Sequence, residues 1–270
     1  MITDSEFQRI VMYMHKNYGI DLSQKKVLVS GRLENYLARN GYASYDEYMA
    51  KVEKNPNGPE ATDIVNVLTT NHTYFMRESA HFDYLAQVVL PWAKMKAARD
   101  KDLRIWCGAS STGEEPYTLA MVLLDFFGLE HKSWDTRVLA TDVSTRVLTH
   151  ATKGIYLKEQ VDPLPAKWKQ RYFKQISAEE YSVKDELKQE VIFRQFNLMN
   201  PFPFKRKFHV VFLRNVMIYF PSDVKAQLIQ KIYDYTEPGG YLFIGTTESL
   251  DRHQNPFQYV QPSIYRKQGG

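Results

Sequence analysis

The chain has 270 residues, 44% of them hydrophobic, and a net charge of +4, which suits one sizeable core or two modest ones. That charge permits an acidic partner but falls short of the concentrated positive charge of dedicated nucleic-acid domains. A single cysteine excludes an internal disulfide framework, and no apolar run approaches the roughly 18–20 residues of a membrane span. The N-terminal MITDSEFQRI lacks the basic and apolar regions of a signal peptide, so the chain reads as cytoplasmic and not membrane-inserted.

Residues 1–70 carry helix signals and almost no strand signals. Thr3-Asp4-Ser5-Glu6 forms a capping box, Phe7, Ile10, Val11 and Met14 follow at helical spacing, and Gly19 ends the pattern. Ser44-Tyr45-Asp46-Glu47 opens another helix, and NPNGPE at 55–60 precedes a last one over ATDIVNVL. Residues 71–100 read as a linker whose helical pattern runs over 79–100. From 101 to 270 the short apolar runs LRIWC, RVLATDV, HVVFLRN and YLFIGTTE alternate with helices such as PYTLAMVLLDFFG, STRVLTHATKG and SDVKAQLIQKIYDYTEPGG, and a terminal SIYRK closes the series. This predicts a doubly wound α/β domain with a mostly parallel sheet. Between 157 and 196 the rhythm breaks, and EYSVKDELK and EVIFRQF predict a small antiparallel insertion packed on the edge.

The stretch CGASSTGEEPY, residues 107–117, stands where the first strand of an open α/β sheet hands its chain to a ligand-binding helix. It has neither the G-x-x-x-x-G-K-[ST] of a nucleotide loop nor G-x-G-x-x-G, and its Glu-Glu-Pro repels phosphate. A cationic ligand without phosphate, such as S-adenosylmethionine, fits better: Glu115 would take its ammonium and Asp142, ending the next strand, its ribose hydroxyls. The alternative is that Glu114 and Glu115 complement a helix N-terminus and that Asp142 caps the following helix. Arg214-Asn215-Val216-Met217-Ile218-Tyr219-Phe220 reaches the same edge but lacks the two prolines of amino-group methyltransferases, and Cys107 is misplaced for methylation at carbon. The acceptor is therefore expected to be an oxygen. NHTYFMRE at 71–78 reads either as a helix junction, with Thr73 as cap and Arg77 in an ion pair, or as a cofactor wall made by Asn71, Thr73 and Arg77. The histidines at 15, 72, 81, 131, 150, 209 and 253 show no ligand spacing, and no metal is expected. Lys25, Arg32 and Arg39, spaced by sevens, share one face of a helix whose other face carries Val29, Leu33, Tyr36 and Leu37; such a stripe is a solvated face or a docking face.

The stretches NHTYFMRE, ASSTGEEPYTLAM, ATDVSTRVLTHATKGIY, FNLMNPF, FLRNVMIYF and GGYLFIGTTESL, in this order, resemble the CheR-type chemotaxis receptor methyltransferases, which move a methyl group from S-adenosylmethionine to receptor glutamates. The resemblance implies a small all-helical N-terminal domain, used for receptor docking, followed by a Rossmann-like methyltransferase domain with a β insertion. It implies cofactor contacts at Asn71, Thr73, Arg77, Glu115, Asp142, Asn197, Leu198, Arg214 and Asn215, and places Arg77 and Tyr219 at the transferred methyl as the catalytic residues. It also implies S-adenosylhomocysteine as product, the cytoplasmic domain of chemoreceptors as partner, and docking through Lys25, Arg32 and Arg39. Phe75-Met76 departs from the family's Phe-Phe, and Arg39 is offset from the usual pattern. Some members grip a receptor C-terminal peptide through a glycine-containing loop of the insertion; KQISAEEYSVKDELKQEV has no glycine, and that tether is not expected here. A monomer without nucleic acid is expected. On residues alone, a nucleic-acid methyltransferase and a cofactor-sensing module without transferase activity remain competing readings.

Overall fold

The computed structural model describes residues 2–56, 58–251 and 255–269; Asn57 of the NPNGPE punctuation and His253 lie outside them. The N-terminal helices begin and end where capping chemistry dictates. Thr3 and Glu6 close a reciprocal capping box on α1 (Asp4–Tyr18), which Gly19 terminates with a left-handed φ of 69°. Helix α2 (Lys26–Asn40) stops at Gly41, α3 (Tyr45–Lys54) starts on the hydroxyl of Ser44, and α4 (Pro59–Leu68) starts with proline in its first turn. Their inward stripes, among them Ile10, Met14, Leu33, Tyr48 and Ile64, are wholly buried. They form one apolar cluster with Met217, Phe220 and Leu228 of the following domain.

The linker is a continuous helical run whose middle is widened: α5 (Ala80–Tyr84), a π-helical turn (Leu85–Val89) and α6 (Leu90–Lys96). Pro91 explains the widening, because its ring clashes with the carbonyl four residues back and it has no N–H to give. The predicted helix over 79–100 therefore ends early, at Lys96, and continues as turns.

Next come β1 (Ile105–Gly108), α7 (Glu114–Phe127), a 3₁₀ turn over Gly128–Ser133, β2 (Val138–Asp142) and α8 (Thr145–Lys153). A small antiparallel sheet is inserted here: β3 (Ile155–Leu157), α9 (Lys158–Val161), α10 (Ala166–Tyr172), β4 (Phe173–Gln175) and β5 (Glu180–Val183), with β5 between the other two strands. After α11 (Asp185–Lys188), the main sheet resumes with β6 (Val191–Gln195), β7 (Phe208–Leu213), a 3₁₀ turn over Met217–Tyr219, α12 (Ser222–Asp234), β8 (Thr236–Phe243), β9 (Gln258–Gln261) and β10 (Ile264–Arg266). Its order is β6-β2-β1-β7-β8-β10-β9, parallel as far as β8, with β10 and β9 antiparallel. The all-helical domain followed by a Rossmann-like domain with a β insertion matches the expected fold.

Two stretches differ from their sequence reading. EVIFRQF is not part of the insertion: β6 pairs in parallel with β2, from Val138↔Val191 to Asp142↔Gln195. Alternation marks any strand with one covered face, and the edge of a parallel sheet has that pattern as much as an antiparallel ribbon does. The KDELK part of EYSVKDELK is the short helix α11, and the insertion begins at Ile155, ahead of 157. TEPGG, read as a helix end, already belongs to β8, since Pro238 cannot extend α12.

Candidate active site

Sheet order reverses between β1 and β7, whose loops part there and leave a crevice at their carboxyl ends. A cavity of about 330 Å³ lies at this edge, and the helical domain supplies part of its wall through Tyr18, Ile20, Val65 and Thr69. Every residue expected at the cofactor lines it, and so does Tyr219.

The β1–α7 loop is built from tight backbone. Ala109, Ser111 and Gly113 all have positive φ, of 54°, 50° and 101°, and a Cβ on Gly113 would meet the Tyr156 hydroxyl and the Ala151 Cβ, each at 2.8 Å. Asp142, at the end of β2, braces this loop. Its carboxylate accepts from the Ser111 amide at 2.9 Å and from the Ser144 amide at 2.9 Å. Burial pushes its pKa up against these amide bonds, which pull it down. The cap of α8 is Ser144, whose hydroxyl accepts from the Val147 amide at 3.2 Å, so Asp142 serves the pocket and its loop and does not cap that helix.

Glu115, in the first turn of α7, meets Arg214 at 2.6 Å through one oxygen. Among the described residues its other oxygen receives the Cys107 thiol alone, at 3.2 Å, a weak donor. Burial, and then Glu115, push the Cys107 thiol well up. Arg214 is 1% exposed; it also pairs with Glu78 at 3.1 Å and donates to the Arg77 carbonyl at 2.5 Å. Burial acts most strongly on the Glu78 carboxyl and raises it, but the charge and hydrogen bond of Arg214, with the Asn215 side-chain amide and His81, together bring the net shift downward. His81, packed beside them, is pushed down to about 4 by burial and by Arg214, and is neutral at pH 7. Glu114, its neighbour's opposite, is buried away from Arg214: it accepts from the Thr112 hydroxyl at 2.7 Å and from the Gln160 amide at 3.4 Å, and burial pushes its pKa up.

The 71–78 segment forms the facing wall. The Asn71 carbonyl accepts from the Ser111 hydroxyl at 3.3 Å, and Arg77 donates to the His72 carbonyl at 2.6 Å while standing 3.9 Å from Glu78. The next helix starts only at Ala80, so Thr73 lines the pocket without capping it. Asn197, beside Leu198, donates to the Asn17 carbonyl at 2.8 Å and accepts from the Met199 amide at 3.0 Å, tying α1 to this wall. Asn215 has a left-handed φ of 58° and donates to Glu78 at 3.3 Å. The Tyr219 hydroxyl donates to the Thr70 carbonyl at 3.3 Å, and its own carbonyl accepts from the Asp21 amide at 2.9 Å.

The three basic residues, Lys25 just before α2 and Arg32 and Arg39 within it, divide. Lys25 and Arg39 are exposed. Arg32 is half-buried, with its guanidinium on the Val67 and Thr69 carbonyls at 3.4 and 3.0 Å and the Thr70 hydroxyl at 3.0 Å. It closes the end of α4 and holds the strap that reaches Tyr219. Spacing gave no hint of this, because the partners lie 35 or more positions away. Sequence reasoning also passed over Ser110, Glu78, Thr70 and Glu248, whose roles depend on strand ends brought together by the sheet.

The pocket fits a sulfonium amino acid carrying a nucleoside. Among the described residues the Ser110 hydroxyl is buried without a partner on its wall, one Glu115 oxygen has only a thiol donor, and Asp142 ends the second strand. The first turn of α7 is acidic, with Glu114 and Glu115, which disfavours phosphate. Among the described residues no group of three or more His, Cys, Asp and Glu is placed to hold a metal, and no helix is long and apolar enough to cross a membrane.

Comparison with known proteins agrees with this chemistry. Residues 71–266 match the CheR methyltransferase SAM-binding domain, and residues 5–69 match the CheR methyltransferase all-alpha domain. The chain is 37% identical over 270 residues to the chemotaxis protein methyltransferase of Borreliella burgdorferi, covering 98% of this chain and 95% of that one. It is 35% identical to chemotaxis protein methyltransferase 1 of Pseudomonas aeruginosa, with 97% and 98% covered. Against the chemotaxis protein methyltransferase of Escherichia coli it is 32% identical over 269 residues, with 98% and 90% covered. The chain belongs to the CheR family of S-adenosylmethionine-dependent methyltransferases.

Proposed function

We propose that the protein transfers the methyl group of S-adenosylmethionine to glutamate side chains in the cytoplasmic domain of chemoreceptors, releasing S-adenosylhomocysteine and leaving a glutamate methyl ester. The observation that carries this reading is a pocket walled jointly by the helical domain and the sheet edge, whose own carboxylates are held in place by protein partners. Glu115 and Glu78 answer Arg214, and Asp142 answers two amides. An acceptor that arrives as an anion suits such a wall: a free glutamate has a pKa of about 4.3 and needs no general base.

The bound cofactor supplies a methyl group on a positively charged sulfur. Asp142 would hold its ribose hydroxyls, and the Glu115 oxygen facing the thiol its ammonium, with Asn71, Thr73 and Ser110 around the methionyl part. Arg77, only loosely paired at 3.9 Å, would orient the incoming carboxylate, and Tyr219 would shape the channel it enters. Attack and departure neutralise opposite charges, so alignment and exclusion of water supply most of the acceleration.

Receptor docking falls to the exposed part of α2. Lys25 and Arg39 offer charge to a glutamate-rich coiled coil, and Val27, 89% exposed, offers apolar surface near the start of the same helix. Rim charges of this kind act mainly on encounter rate. Arg32 contributes from behind, by fixing the strap under that surface.

The test is incubation with methyl-tritiated cofactor and chemoreceptor membranes. Label released as volatile methanol by mild base is the expected result. Label that stays base-stable, or that appears on nucleic acid instead, overturns the proposal.

A further inference from the structure

Glu248 follows β8 and lies outside the pocket, yet its carboxylate is committed to the pocket wall. It is 9% exposed. One oxygen accepts from the Asn215 amide at 2.8 Å and the Gly245 amide at 2.6 Å, and the other from the Met217 amide at 2.7 Å. Charge-assisted bonds this short are about twice as strong as neutral ones.

The amides of Asn215 and Met217 straddle Val216 on the segment that continues through Ile218 to Tyr219, and Asn215, Val216, Ile218 and Tyr219 all line the pocket. Asn215 sits at φ 58°, a left-handed conformation that asparagine tolerates better than most side chains and that the Glu248 bond to its amide helps to hold. Gly245 lets the two turns close on each other: a Cβ there would stand 2.3 Å from the Asn215 Nδ2 and 2.9 Å from its amide nitrogen.

We infer that Glu248 is a positioning residue for methyl transfer, whose carboxylate sets the 214–219 wall against the cofactor and the acceptor. It touches neither of them; it acts through Asn215 and Tyr219. Neutralising it turns one acceptor into an NH₂ group facing an amide donor, and the wall must shift to relieve the clash.

The experiment compares the full-length protein with Glu248→Gln, and with Thr236→Val as a control. Thr236 is fully buried and donates to the Ile232 carbonyl at 2.7 Å, far from the pocket at the start of β8. S-adenosylhomocysteine affinity is read by calorimetry and kcat by receptor methylation, both well below either melting temperature. For Glu248→Gln the dissociation constant rises about fivefold or more and kcat falls about tenfold or more, while Thr236→Val stays within about twofold in both. The kcat arm rests on the receptor-glutamate reading. The binding arm needs no acceptor, so it still decides if the parent protein methylates no receptor. Should Glu248→Gln fail to fold, Gly245→Ala presses the same wall from the other side and is expected to move both readings in the same direction. Parent-like affinity and turnover in the folded variant overturns the inference.

Discussion

Two loops face each other across the carboxyl edge of the sheet, and the strand outside each one supplies a carboxylate to hold it. The β1 loop at 109–113 is held by Asp142 from β2, and the β7 loop at 214–219 by Glu248 from the turn after β8. Both loops contain left-handed residues with side chains, Ala109 and Ser111 in one and Asn215 in the other. The carboxylates differ in where they stand. Glu248 is spent on three amides and is not among the residues lining this cavity. Asp142 holds the Ser111 and Ser144 amides, lines the pocket, and has a pKa raised by burial. One fold device thus serves two ends: Glu248 braces a wall from outside the cavity, whereas Asp142 braces its loop while itself lining the cavity, where the proposed cofactor would meet it.

The largest expected effect is at Asp142. Asp142→Ala strips the brace and the ligand contact together, so S-adenosylhomocysteine affinity should fall about 100-fold or more and stability by about 2–4 kcal/mol. Calorimetry and thermal melts read the two losses separately. If stability falls while affinity holds, Asp142 is a brace like Glu248 and the contrast between them disappears.

Next comes Glu115→Gln. Arg214 is 1% exposed and would keep only Glu78 as its charged partner; leaving buried charge less compensated should cost about 1–3 kcal/mol, and kcat/KM should drop about tenfold or more. A variant with parent-like kinetics would show that the Glu115 carboxylate holds no part of the cofactor.

The helical domain and the α/β alternation were legible because local chemistry decides them: Thr3, Ser44 and Gly19 cap as their types require. The pocket was legible in its residues but not in their division of labour. Glu115, Arg214 and Glu78 are scattered along the chain and meet only when the sheet forms, and Glu248 stood in the sequence as the last residue of the run YLFIGTTE, with no sign of its partners. Strand membership failed at EVIFRQF, where period-two alternation cannot say which sheet a strand joins. Pro91 was visible, but its effect on the linker helix, a π turn in place of a break, depends on packing at Leu85 and Val89.

Arg32 tests whether the strap under α2 matters to the same two walls. Arg32→Ala removes donors to Thr69 and Thr70, and Thr70 in turn receives the Tyr219 hydroxyl. A loss of about 1–2 kcal/mol and a several-fold lower kcat at saturating receptor are expected. Lys25→Ala and Arg39→Ala, on exposed positions, should instead raise KM at low salt, leave kcat unchanged and converge on the parent at high salt. If Arg32→Ala follows that second pattern, it is a docking residue and the strap has no bearing on Tyr219.

The smallest effect, and the sharpest contrast within one loop, is at Glu114. It neighbours Glu115 but is buried against Thr112 and Gln160, with a pKa raised by desolvation. A carboxyl whose folded pKa lies above its unfolded value favours folding fully at low pH, and that contribution is lost as pH climbs from about 4.3 through the folded value. Glu114→Gln copies the protonated form: Thr112 can still donate to its carbonyl, and no charge remains to be buried. The variant should match the parent near pH 4 and melt at an equal or slightly higher temperature at pH 7, with S-adenosylhomocysteine affinity within about twofold. Melting curves across that range check the sign, and calorimetry checks the affinity. A tenfold loss of affinity would mean that the Glu114 charge itself shapes the 109–113 loop, and the α7 start would then hold two cofactor carboxylates where the geometry supports one.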